Sequence, residues 1–126
     1  MFKNGPTICV VEDEPSIRKA LSRLLTSAGY NAVTYGSAQA FLDGNLPKQP
    51  DLLILDVRMP GMNGLDLQKH LAGSGCAIPI VFITAHENAM AKSTAMAAGA
   101  VAFFQKPFDE KDLLGAIRQT LNQKIP

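Results

Sequence analysis

Charge of either sign is scarce here: twelve Lys and Arg against eleven Asp and Glu leave a net charge of +1. That balance, with no basic stripe visible, argues against a strongly electrostatic partner such as bare DNA. Tryptophan is absent and aromatic residues make up only 6%. No apolar run approaches the ~18 residues of a membrane span. The opening hexapeptide MFKNGP carries no apolar stretch of the kind a secretory signal needs. Only two cysteines occur. Cys9 sits inside the apolar run TICVV and Cys76 in the loop-like GSGCAIP, so both read as plain thiols in a reducing compartment.

What is present suffices for one domain. At 126 residues and 47% hydrophobic, a single core can bury roughly two-thirds of the unfolded surface without disulfides. Short apolar runs alternate with amphipathic stretches. TICVV (7–11), NAVTY (31–35), LLILD (52–56), IPIVFITA (78–85) and VAFFQ (101–105) read as strands. Pro15 opens a helix whose face is Ile17, Leu21, Leu24, Leu25 and Ala28, stopped by Gly29. Ser37 caps a short second helix ending at Asp43-Gly44, and NLPKQP is a loop. Further helices cover 65–71, the AMAKSTAMAA stretch up to Gly99, and a last one that Asp109 caps, with Leu113, Leu114, Ile117 and Leu121 on its inner face. Five strands alternating with five helices predict an α/β doubly wound parallel sheet. No repeat, linker or second domain is visible, so residues 1–126 are expected to form one unit with its core at 7–122.

Open parallel sheets bind ligands at the carboxyl ends of their strands. There the sequence places Glu12-Asp13, Asp56, Thr84 and Lys106, while the second strand ends on Tyr35-Gly36. Three carboxylates at one rim call for a cation. Mg²⁺, with its preference for oxygen ligands and phosphate, suits them. Lys106 adds a point charge and Thr84 a neutral hydrogen bond. Carboxylate, metal and lysine together suit phosphoryl transfer onto an aspartate. If Asp13 and Asp56 share one ion, strands one and three are neighbours, which predicts the order 2-1-3-4-5.

Four segments, VVEDEPSIR (10–18), LLILDVRMPGMNG (52–64), FITAHE (82–87) and FFQKPFD (103–109), resemble the receiver domains of two-component response regulators, in order and spacing. The wording DVRMPGMNG, with YGSAQAFL before it, is most similar to the FixJ/NarL branch. The resemblance runs from residue 7 to about 122 and implies the flavodoxin-like receiver fold. It implies that Asp56 accepts a phosphoryl group from the phosphohistidine of a sensor histidine kinase. Mg²⁺ would be held by Asp13, Asp56 and the backbone carbonyl of Arg58, with Glu12 acting directly or through water. Lys106 would pair with the phosphoryl oxygens, before a cis bond to Pro107, and Thr84 would swing toward them. Phe103 would be the switch aromatic, held inward by packing alone because it lacks a hydroxyl.

Further implications are a cytoplasmic, two-component signalling phosphoprotein with no membrane contact. Its output would pass through the face built by the fourth helix, fifth strand and last helix, a face that also allows a homodimer. DNA would be met only through an output domain absent from this chain, where transcription is regulated; Lys124-Ile125-Pro126 is where a linker to it would begin. Arg58 and His86 would tune how long the phosphoryl group lasts. The chain would not be a metabolic enzyme. A magnesium phosphohydrolase is the nearest rival, but Arg58 stands where its partner carboxylate belongs. A flavin binder would need a glycine-rich loop where Glu12-Asp13-Glu14 stands.

Plainer readings remain for single residues. An aspartate ending a strand ordinarily starts a turn, and Glu12, Asp13 or Glu14 could cap the first helix. Thr84 alone is an ordinary strand residue, and Lys106 alone a solvated lysine. Met90 and Met96 read as core filling or as part of a partner face. His70 reads as solvated.

Overall fold

A computed structural model describes residues 5–44, 49–85 and 88–122. His86, most of the NLPKQP loop and the segment 124–126 lie outside the described residues.

The chain runs β1 (Thr7–Val11), α1 (Pro15–Ser27), β2 (Asn31–Tyr35), α2 (Ala38–Asp43), β3 (Leu52–Asp56), α3 (Gly64–Gly73), β4 (Ile80–Thr84), α4 (Ala89–Ala97), β5 (Ala102–Gln105) and α5 (Glu110–Asn122). All four strand pairings are parallel, in the order β2-β1-β3-β4-β5. The order inferred from a shared ion therefore stands.

The continuous apolar runs have the explanation their composition suggested, for β3 and β4 are buried along their whole length. Alternate side chains go to opposite faces. Cys9, Val11, Leu53, Leu55 and Phe82 point toward α2, α3 and α4, while Ile8, Val10, Leu52, Ile54, Val81 and Ile83 point toward α1 and α5. Leu21 and Leu25 of α1 and Leu113, Ile117 and Leu121 of α5 close that second face.

Local signals place the helix ends. Pro15 sits in the first turn of α1, where its missing N–H costs nothing. The Ser37 hydroxyl accepts from Ala40 N at 3.0 Å, and Asp109 Oδ1 from Lys111 N at 2.8 Å. Several details depart from the sequence reading. Ala28 is exposed and follows α1 instead of packing in its face. Strands β4 and β5 are shorter than IPIVFITA and VAFFQ, although Val101 N still donates to Ile80 O. Met90 is 80% exposed and Met96 41%, so neither fills the core. No helix among the described residues is long and apolar enough to cross a membrane.

Candidate functional site

Strand β1 delivers Glu12 and Asp13 to opposite fates. Glu12 is completely buried, whereas Asp13 faces solvent. Asp56, the last residue of β3, is 7% exposed. One oxygen from each of these three carboxylates lies within 4.8 Å of the others. The first and third strands thus bring together the acids that sequence reasoning assigned to one site.

The turn after β3 shapes the Asp56 carboxylate. Arg58 N donates to Asp56 Oδ1 at 3.2 Å, while the Arg58 side chain is exposed. Gly61 adopts φ +76°, which the MPGMN turn needs. Gly64 starts α3 directly against the Asp56 carbonyl, and an added Cβ would collide with it. Asn63 and Asp66 form a reciprocal cap, with Asn63 Oδ1 accepting from Asp66 N at 2.8 Å and Asp66 Oδ2 from Asn63 N at 3.2 Å. That cap pins the far side of the turn.

Thr84 ends β4 and is 2% exposed. Lys106 N donates to Thr84 O at 2.7 Å, so the two strand ends are tied. The Lys106–Pro107 bond is cis. The Lys106 ammonium enters the site but rests on Glu12, with Nζ to Oε1 at 2.9 Å; the lysine side chain is 18% exposed. The other Glu12 oxygen, Oε2, accepts from Glu14 N at 3.1 Å. Glu14 precedes α1 and makes no side-chain cap. The capping alternative therefore fails for Glu14, and the Glu12 carboxylate binds the loop backbone instead.

Electrostatics fit a cation. Burial pushes the Glu12 carboxyl above its usual range against the opposing pull of Lys106, and Asp56 pushes it further up. Asp13 is raised as well, by partial desolvation and then by the Glu12 carboxylate. Three mutually repelling oxygen donors with no sulfur or imidazole among them form a hard-cation set. The chemistry of these donors fits Mg²⁺. Beside them an open groove of about 530 Å³ is lined by Asp13, Arg58, Asn63, Asn88 and Ala91.

Phe103 lies half-buried against Phe82, ring centroids 5.9 Å apart, on the α4 side of the sheet. Phe104 goes to the opposite face, against Phe108. His70 is exposed, as the solvated reading expected. Two contributors escaped sequence reasoning. Arg18 Nη1 donates to Glu12 O at 2.7 Å and crowds Gly36. The buried Gln68 of α3 donates to Ala95 O in α4 at 3.0 Å. Nothing in the sequence marks either. The cap at 63–66 was readable, because Asn-x-x-Asp ahead of an apolar helix is a capping pattern.

Comparison with known proteins agrees with this geometry. Residues 8–118 match the family described as "Response regulator receiver domain". The response regulator protein TmoT of Ectopseudomonas mendocina is 47% identical over 114 residues, covering 90% of this chain and 52% of TmoT. The transcriptional regulatory protein FixJ of Azorhizobium caulinodans is 36% identical over 114 residues, 90% of this chain and 54% of FixJ. The chain thus spans about half the length of these relatives. The crystal structure of FixJ-N superposes with a TM-score of 0.85 at 34% identity, covering 94% of this chain and 95% of the other.

Proposed function

Because the chain belongs to the response regulator receiver domain family, we propose that it acts as one phosphorylation-driven switch, with Asp56 as the phosphoacceptor. The observation that carries this reading is the meeting of Glu12, Asp13 and Asp56 at one rim, with the Lys106 ammonium already among them.

An Asp56 oxygen attacks the phosphorus of a sensor kinase's phosphohistidine. The O–P bond forms as the P–N bond breaks, and the imidazole leaves with the electron pair. The Arg58 N–H fixes Oδ1 and so sets the plane of the attacking carboxylate. Asp13, Asp56 and the Arg58 carbonyl, with Glu12 directly or through water, are the residues that would hold Mg²⁺. Bound there, it would neutralise charge on the transferring group. Lys106, half-buried at the same rim, donates a charge-assisted hydrogen bond to the phosphoryl oxygens, and the Thr84 hydroxyl donates a neutral one. The product is one aspartyl phosphate per chain, slowly lost to water, so the chain is a switch and not a turnover enzyme.

Phosphorylation adds close to two negative charges at the rim. Drawing Thr84 inward opens space beside Phe103, whose ring turns in and repacks the face of α4, β5 and α5. Moving a switch from 1:99 to 99:1 takes about 5.5 kcal/mol. Charge-assisted hydrogen bonds of about 1.5–3 kcal/mol each can supply it. Met90, Met96 and Val101 expose apolar surface near that face, which suits a second copy of the chain or a partner domain. Relatives twice as long, among them a transcriptional regulatory protein, support a cytoplasmic role in transcription, with DNA met by a separate output domain.

The test is incubation with a small acyl phosphate and Mg²⁺, read by intact mass. Wild type should gain one phosphoryl group and Asp56→Asn none at that site. Equal labelling of the two would refute the assignment.

A further inference from the structure

The parallel ladder between β1 and β2 runs out at Glu12, whose N–H donates to Tyr35 O at 3.0 Å. In a parallel pair the next bond would run from Ser37 N back to the Glu12 carbonyl. At Ser37 the chain has already turned to cap α2, and no backbone amide of the described residues takes that carbonyl. Glu12 is fully buried, so water cannot satisfy the oxygen either. Arg18 fills the place. From the first turn of α1, its Nη1 donates to Glu12 O at 2.7 Å. Gly36 makes the room: a Cβ there would lie 3.2 Å from Arg18 Nη1 and 3.7 Å from Cζ. Apart from its chain neighbours, no other atom of the described residues comes within 4 Å of that point. Gly36 does not have a positive φ, so the position uses the missing side chain and not glycine's backbone freedom.

The Glu12 carbonyl belongs to the peptide that leads into Asp13. That unit is planar. Holding its oxygen fixes the plane from which Glu12 turns inward and Asp13 turns to solvent. We propose that Arg18 is a positioning residue for the cation site: standing in for the missing sheet bond, it holds the Glu12–Asp13 peptide so that both acids of β1 face Asp56. This rests on the reading of Glu12, Asp13 and Asp56 as a cation site and leaves every metal ligand as assigned. Arg18 acts through the backbone and is itself neither a ligand nor a donor to the phosphoryl group. What it supplies is order in advance. Without it, the exposed Asp13 has to be fixed as the ion binds, and that ordering weakens the affinity.

Charge and position pull in opposite directions at Arg18. A guanidinium near three carboxylates opposes a second cation by its charge alone. Arg18→Met removes the charge and the donor together, and Mg²⁺ binding to the full chain is then measured by calorimetry. Positioning predicts that affinity falls about fivefold. Tighter binding would mean that Arg18 is only an electrostatic neighbour. Unchanged binding with a lowered melting temperature would make it only a structural one, and either result overturns the proposal.

Gly36→Val tests the same seat with Arg18 intact and charged. It should lower Mg²⁺ affinity by a similar factor, yet by less than twofold on an Arg18→Met background. A full further loss on that background would show that Gly36 acts without Arg18 and would count against the seat. Phosphoryl uptake from a small acyl phosphate adds a kinetic readout. For Arg18→Met, the Mg²⁺ concentration giving half-maximal uptake should rise about fivefold, with the maximal rate within about twofold of wild type. A depressed rate at saturating Mg²⁺ would mean that Arg18 meets the phosphoryl group itself, contradicting a role through the backbone. If wild type binds no Mg²⁺, the cation site is refuted and the role of Arg18 with it. If wild type and Arg18→Met bind equally, the site stands and only the role of Arg18 is lost.

Discussion

On one face of the sheet, α1 and α5 lay down Leu21, Leu25, Leu113, Ile117 and Leu121, all buried. On the other, α4 is held to the sheet by Ala91 and Ala95, while its Met90 and Met96 point to water. A buried leucine removes several CH₂ groups from water at about 0.8 kcal/mol each, an alanine scarcely more than one. Helices α1 and α5 are therefore gripped and α4 merely touched, with the Gln68 bond to Ala95 O as a polar pin, although α3 on the same side is itself anchored by the buried Leu67 and Leu71. Strand β5 straddles the two, sending Phe103 to the loose side and Phe104 to the firm one. A switch has to move something without unfolding the rest. The molecule has placed its small residues where that movement costs least.

The contrast can be broken at either face. Ile117→Ala, on the firm side, should lower the unfolding free energy by about 3 kcal/mol and leave phosphoryl uptake by the surviving fold unchanged. Denaturant titration checks the first and intact mass the second. A loss below about 1 kcal/mol would mean that α5 is no more firmly seated than α4.

A pH experiment asks whether the core on the α4 side of the sheet is nonetheless dry. Burial pushes the Cys9 thiol from its ordinary 9.0 up to about 11, and Cys9 points toward the α4 side. Between those two values the unfolded chain ionises while the folded one does not, so the unfolded state binds fewer protons. Stability should then fall as pH rises from 9 to 11, by roughly 2–3 kcal/mol. Cys9→Ala should remove that part of the slope, and an unchanged slope would show a wet interior. Over the same range Cys76, half-exposed, should alkylate readily while Cys9 reacts only on unfolding.

Phe103→Ala should cost about 2 kcal/mol, less than a fully buried ring because Phe103 is only half-buried. It should leave uptake nearly intact while weakening the response of the α4 face, read as phosphorylation-dependent chemical-shift change. Lost uptake would argue against a switch role. The smallest effect belongs to Asn88→Ala, which removes the α4 cap bond to Ala91 N at 2.9 Å. About 1 kcal/mol of local stability should go, seen as faster hydrogen exchange confined to α4. Faster exchange spread over α3 as well would mean that the two helices open together.

The architecture was largely legible in the sequence because its signals are local. Apolar runs of strand length, Pro15 and Gly29 at the ends of α1, and polar residues stopping each strand give element order and rim from spacing alone. The acid cluster followed once the strands were ordered. The orientation of α4 was not legible, because alanine is equally at home on either side of a helix and gives the pattern no contrast. The Lys106–Glu12 pairing was also invisible. It joins residues 94 apart, and choosing among three carboxylates for one ammonium takes distances, not order. Gln68 is a polar residue on a buried face, where periodicity predicts an apolar one, and only its partner in α4 explains it.

The central claim is that carboxylates from β1 and β3 share one divalent cation beside the Asp56 oxygen. A crystal soaked in Mn²⁺ and measured for anomalous scattering tests it directly. The account predicts a peak at oxygen-ligand distance from both Asp13 and Asp56. A peak bound by only one of them, or none at that rim, would contradict it.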